Sequence, residues 1–245
     1  MRLLSSIGFW LLSGLNFATV GCTGLPFTAE PASHSATNQS TPAAPSSPPG
    51  ASAQSSQPRS AGETLAQSSP ASETALWSEL RQGQGYVVMM RHAVAPGTGD
   101  PPGFRLEDCS TQRNLSAEGR QQAIAIGEAF RQRNIPVGQV LSSQWCRCLE
   151  TAKLLDLGTV EPFPALNSFF SDRSTAVQQT EQVQRFIREQ QNQSEVMILV
   201  THQVNITAIS NIVPASGEFV VLRAKGTSAE SSAIEVVGRL NPVGN

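Results

Sequence analysis

Three short apolar runs constrain this chain more than any other feature, because each has strand length and each ends in residues that a dry core would reject. Tyr86-Val87-Val88-Met89-Met90 leads into Arg91-His92. Residues 137–141 lead into Ser142-Ser143, with Arg147 shortly after, and residues 195–200 lead into Thr201-His202. The unbroken apolar run over 86–90 suits a strand covered on both faces. Helical patterns separate them. Residues 72–80 form a short helix capped by Ser72, and a second helix opens at Ser116 with Glu118 in its first turn. Trp145, Cys148, Leu149, Ala152 and Leu155 share one helical face. A short strand at 160–163, a Gln-rich helix at 175–190, a helix at 203–211 and closing strands at 219–223 and 233–237 complete the pattern. The expected fold is α/β, a three-layer α/β/α sandwich with a mainly parallel central sheet.

In an open parallel sheet, ligands bind outside the carboxyl ends of the strands. Arg91, His92, Arg147 and His202 are therefore expected to converge on one mouth. Two guanidinium groups and two imidazoles there suit a phosphate dianion, which guanidinium binds bidentately. If Ser143 caps its helix, Arg147 falls in the first turn and its side chain points back toward that mouth, where free helix amides already favour an anion. For His92 the competing reading is a core histidine at a strand end, for Arg147 a surface pair with Glu150, and for His202 a structural histidine.

The first 72 residues are of another kind. Met1-Arg2 and a mostly apolar stretch over 3–20 read as an export signal. Thr19-Val20-Gly21-Cys22 resembles the lipobox of bacterial lipoproteins, with Thr19 where leucine is usual. Cys22 is then the lipidated residue and the membrane anchor. An ordinary cleaved signal peptide (1–22) or a single uncleaved span are the other readings, and all three place the rest of the chain outside the cytoplasm. Residues 23–72, rich in Ser, Ala, Pro, Gln and Thr, are too poor in apolar side chains to fold and read as a disordered tether. Such a tether would span roughly 40 Å root-mean-square. The folded domain is expected over 73–245. With a formal net charge of -2, the chain has no basic surplus for nucleic acid.

Export permits a disulfide. Cys109, Cys146 and Cys148 are odd in number, so at most one internal pair forms, and Cys146-x-Cys148 lacks the second ligand pair of a zinc site. Cys148 shares the buried helix face, which leaves Cys109–Cys146 as the expected pair, pinning the loop over 93–114 above the site.

These segments together resemble the histidine phosphatase superfamily, in its phosphoglycerate mutase-like branch 1. Arg91-His92-Ala93 is similar to that family's Arg-His-Gly signature, and Leu115-Ser116-Ala117-Glu118-Gly119-Arg120-Gln121-Gln122-Ala123 to its Leu-Thr-x-x-Gly-x-x-Gln-Ala helix start. Ser142-Ser143-Gln144-Trp145-Cys146-Arg147-Cys148-Leu149-Glu150-Thr151-Ala152 resembles its second-arginine segment, and Val200-Thr201-His202-Gln203 its second-histidine motif. The resemblance implies that neutral His92 attacks phosphorus and forms a phosphohistidine that water hydrolyses. It implies that Arg91 and Arg147 bind the phosphoryl group with a hydrogen bond from His202, and that no metal or organic cofactor is required. Asn114 and Arg113 are further candidates to reach phosphate.

The proton donor is the weak point. Where many relatives carry a glutamate, this chain has Asn167, and Gln203 stands where another branch has aspartate. Asp172, Asp108, Asp100 and Glu107 are the candidate acids, each also readable as an exposed loop carboxylate. Without an acid, substrates with good leaving groups should be favoured. The expected function is a metal-independent phosphomonoester hydrolase acting on a small phosphorylated substrate in the periplasm or cell envelope. A weakly catalytic phospho-ligand-binding envelope protein, a phosphoglycerate mutase-like enzyme and a passive anchor are the alternatives.

Overall fold

The computed structural model describes residues 70–226 and 233–243. The export signal, Cys22 and the tether up to residue 69 lie outside the described residues. The first helix, α1, spans Pro70–Gln82, so residues 70–72 belong to the helix and not to the tether. Proline is favoured in a first helical turn, where its missing N–H has no partner to lose.

Ten further elements follow: β1 (Tyr86–Arg91), α2 (Ala117–Gln132), β2 (Val137–Ser142), α3 (Cys146–Leu155), β3 (Val160–Pro162), α4 (Ala176–Glu189), β4 (Val196–Thr201), α5 (Gln203–Ser210), β5 (Phe219–Lys225) and β6 (Ala233–Leu240). The six strands form one sheet in the order β3-β2-β4-β1-β5-β6. β1 pairs parallel with β4, β4 with β2, and β2 with β3, while β5 and β6 add antiparallel. The sheet is thus mixed, with a parallel heart.

Alternation along each strand feeds two cores. Val88 and Met90 of β1, Ile198 and Val200 of β4, and Phe219 and Val221 of β5 pack against α1, α2 and α3. Val87, Met89, Leu199, Val220 and Leu222 face the other way, against Val183 and Ile187 of α4 and Ile206 of α5. A strand buried on both sides must be apolar at every position, which is why these runs do not alternate with polar residues. The expected α/β/α layering is present.

The helix starts differ in two places from the sequence expectation: Ser72 lies inside α1 and does not cap it, and α3 begins later than expected. Ser116 caps α2, accepting from Gly119 N at 3.0 Å. For α3 the capping residue is Trp145, not Ser143, and no side chain caps it. Ser143 sits two residues earlier, where its hydroxyl is drawn to a histidine instead.

Candidate active site

Because β1, β4 and β2 are parallel neighbours, their carboxyl ends lie side by side. That geometry delivers His92 after β1, Ser143 after β2 and His202 after β4 to one place. The two imidazole centroids are 5.6 Å apart, and His202 Nε2 lies 2.8 Å from Ser143 Oγ. Arg147, the second residue of α3, turns its Nη2 to 3.5 Å from His202 Nδ1. Arg91, His92, Arg113, Arg147 and His202 line a hollow of about 150 Å³, and Gly97, Gly99, Ser168 and Phe170 also line it. Pockets that enclose a whole ligand are usually ~300–1,000 Å³. This one matches the head of a ligand and not its body.

His92 is buried, and its environment fixes its chemistry. Its Nδ1 lies 2.8 Å from the Ala93 carbonyl oxygen. That oxygen can only accept, so Nδ1 carries the hydrogen and Nε2 keeps its lone pair. Burial first, and then the charges of Arg147, Arg113 and Arg91, push the His92 pKa down to about 3 despite the bond to Ala93. The ring is neutral at any ordinary pH. His202, held down chiefly by burial and then by its charged neighbours, is neutral as well.

The residues around His92 hold its backbone rather than its ring. Ala93 N donates to Thr151 Oγ1 at 3.1 Å, and that hydroxyl donates to Arg147 O at 2.7 Å. Val94 N donates to Gln122 Oε1 at 3.1 Å, and Gln122 Nε2 donates to Ser216 O at 2.9 Å. Gly119 lets the chain pass, since a Cβ there would lie 2.0 Å from Val94 O. Gly217 N in turn donates to Arg91 O and His92 O at 3.2 and 3.3 Å. The glycine, glutamine and threonine of the sequence motifs are therefore braces for the strand-end turn.

Arginine charge dominates the hollow. Arg91 donates from Nη1 to Pro214 O at 2.9 Å, and burial followed by the charge of Arg147 lowers its pKa. Arg113 donates from Nε to Gly99 O at 2.7 Å, and the same two causes act on it. Arg91 Nε and Arg147 Nε are buried without a hydrogen-bond partner. Unsatisfied buried donors of this kind are costly.

Of the other sequence candidates, Asn114 does not line the hollow. Its Nδ2 donates to Cys109 O at 2.7 Å and Gln112 O at 3.2 Å, bracing the loop. Its neighbour Arg113 takes the place expected for it, because adjacent residues in an extended chain point opposite ways. Asp172 is exposed and accepts from Ser174 N at 2.9 Å, a bond that holds its carboxyl below the usual range. It lines a neighbouring groove, not the phosphoryl hollow. Asp108 is tied to Ser110 and Arg105 at the surface, and Glu107 is exposed. Asp100 alone among the four is at the site, paired with Arg147. No Asp or Glu lines the hollow itself.

Cys109 and Cys146 are joined by a disulfide, and Cys148 is free and buried. Burial pushes the Cys148 thiol up to about 12, so it stays protonated. Gln112 Oε1 accepts from Cys146 N at 2.9 Å, beside the disulfide. Among the described residues, no cluster of three or more His, Cys, Asp or Glu could hold a metal ion, and no helix is long and apolar enough to cross a membrane.

Residues 87–169 match the family model of the histidine phosphatase superfamily (branch 1). Among solved structures, the protein histidine phosphatase SixA complexed with tungstate is 14% identical, over 64% of this chain and 97% of that one, at a TM-score of 0.47. A mycobacterial glucosyl-3-phosphoglycerate phosphatase is 17% identical over 62% and 96%, at 0.46. Bacillus stearothermophilus YhfR is 13% identical over 64% and 98%, at 0.46. No curated protein sequence matches the chain. The matched stretch runs from β1, which delivers Arg91 and His92, through α3, which delivers Arg147, and over these residues the chain is similar to the histidine phosphatase superfamily, branch 1.

Proposed function

We propose that the protein is a metal-independent phosphomonoester hydrolase that works through a phosphohistidine at His92. The observation that carries this reading is the His92 tautomer: Nδ1–H bound to Ala93 O, and Nε2 left with its lone pair in a ring kept neutral, at a hollow lined by three arginines. Nε2 attacks phosphorus, the P–N bond forms, and the bond to the leaving oxygen breaks with its electron pair on that oxygen. Arg91, Arg113 and Arg147 stabilise charge on the equatorial oxygens. Water then attacks the phosphohistidine and releases inorganic phosphate. His202 and Ser143 fix the side of the hollow next to Arg147.

With no carboxyl lining the hollow, leaving-group protonation falls to solvent, and aryl phosphates should turn over faster than alkyl phosphates by roughly a hundredfold. The extracytoplasmic location, with a lipid anchor at Cys22 in a bacterial envelope, belongs to the same proposal and rests on the leader sequence.

The experiment is to incubate the full chain with a phosphomonoester labelled at phosphorus and quench in alkali, which preserves phosphohistidine. Label on the wild type that disappears with His92→Ala, together with at least a thousandfold loss of turnover, is the expected result. Turnover that survives His92→Ala would refute the mechanism. Membrane fractionation of the wild type and of Cys22→Ser tests the anchor.

A further inference from the structure

The fork of Arg147 is already occupied. Asp100, in the loop after the nucleophile, meets it with both carboxylate oxygens, Oδ1 at 2.6 Å from Nη1 and Oδ2 at 3.2 Å from Nη2. Trp145 Nε1 donates to the same Oδ2 at 2.9 Å. The two side chains are 3% and 14% exposed, so the pair is shut away from solvent. A carboxylate laid across two guanidinium nitrogens has the shape and sign with which two phosphate oxygens bind that group.

We infer that Asp100 is a displaceable stand-in for the substrate: the entering phosphoryl group takes Arg147 from it, and this exchange makes the site selective for phosphomonoester dianions. The inference rests on the phosphatase reading above and adds the binding step to it.

Two arguments support the exchange, and a third the selectivity. Arg147 is too fully covered to take a second anion on its fork while Asp100 stays. The stretch around Asp100 is glycine-rich and is held to the site by exchangeable bonds from Arg113 to Gly99 O and Asp100 Oδ1. Gly97, Gly99 and Gly103 all have positive φ, and a Cβ at Gly103 would meet nothing within 4 Å. The far end of the loop is fixed by the Cys109–Cys146 disulfide and by Gln112. Charge decides which ligand wins. Three guanidinium groups face the hollow and repel one another, and Asp100 offsets a single positive charge. A phosphodiester or a carboxylate would trade one negative charge for another and forfeit the bond to Trp145. A phosphomonoester dianion brings a second charge and supplies acceptors for the unsatisfied Arg91 and Arg147 Nε groups. Once released, the Asp100 carboxylate carries its charge out to water.

The test uses purified full chain and two probes, inorganic phosphate at pH 8 and dimethyl phosphate. Wild type should bind phosphate and bind dimethyl phosphate far more weakly. Asp100→Ala should bind phosphate about ten- to hundredfold more tightly, and should narrow the preference over dimethyl phosphate. Unchanged or weaker phosphate binding in Asp100→Ala would overturn the inference, because Asp100 would then be holding Arg147 in place for the ligand. Should the alanine variant fail to fold, Asp100→Asn keeps the size of the side chain without its charge, and the same outcomes apply. Wild type gives an independent reading: Trp145 loses its acceptor on exchange, so phosphate should change tryptophan emission, and none at saturation would also overturn it. Turnover of p-nitrophenyl phosphate is measured separately. A chain that tightens on phosphate without Asp100 but never hydrolyses an ester would sink the phosphatase reading and leave the exchange intact.

Discussion

The strand ends and the loop over 93–114 build the same hollow by opposite means. His92 and His202 follow strands buried in two apolar cores, and both imidazoles are almost fully covered. Asp100 and Arg113 stand on a glycine-rich loop held by hydrogen bonds, one buried ion pair and one disulfide. The difference separates two tasks. Chemistry needs a nucleophile that does not wander, and hydrophobic packing supplies that. Admission needs a part that yields to an incoming charge, and polar contacts that can be exchanged supply that.

The comparison can be broken hardest from the strand side, with acid. Both imidazoles are neutral when folded, with pKa values held below the ordinary 6.5, that of His92 at about 3. Between those values the unfolded chain takes up protons that the folded chain refuses. Stability is therefore complete above pH 6.5 and falls as the pH drops below it, with both rings acting in the same direction. Thermal melts between pH 7 and 5, above the range where carboxylates titrate, should show Tm falling. A level Tm would mean that the rings are not buried as described.

Next comes the floor beneath the nucleophile. Gly119→Ala drives a methyl group into the Val94 carbonyl and should cost about 3 kcal/mol or more, with activity lost along with fold in a denaturant titration. On the loop side, Cys109→Ser with Cys146→Ser removes the clasp closing a separation of 37 residues. It should lower stability by about 2 kcal/mol or more and raise KM before it touches kcat, because the nucleophile stands on the other region. A fall in kcat alone would erase the division of labour. Smallest of all is Arg105→Ala, which breaks an exposed pair with Asp108 and should shift stability by less than about 1 kcal/mol.

The two central strands, β1 and β4, were legible in the sequence because strands buried on both faces leave continuous apolar runs. The convergence of Arg91, His92 and His202 followed from strand direction, and that of Arg147 from its place in the first turn of a helix. The Cys109–Cys146 pair was legible from the helix face that buries Cys148. What escaped depends on local direction or on long-range charge. Nothing in sequence distinguishes Arg113 from Asn114 as the residue that faces the hollow, since one step along a chain reverses a side chain. Ser143 reads as a cap, but the nearby imidazole of His202 draws its hydroxyl at 2.8 Å. Asp100 reads as one loop carboxylate among several, and only the fold brings it 47 residues along the chain to Arg147. The structural duty of Gly119, Gln122 and Thr151 was hidden for the same reason, as each contacts backbone far away in sequence.

Gly217 gives the antiparallel edge of the sheet an importance that no motif announces. Its amide closes on the carbonyls of Arg91 and His92, and Gln122 reaches across to Ser216 beside it. The segment just ahead of β5 thus acts as a keystone: the turn bearing the nucleophile is locked by residues translated after every signature residue. A nascent chain already possessing every signature residue would still hold an unfastened reaction centre until that segment arrived.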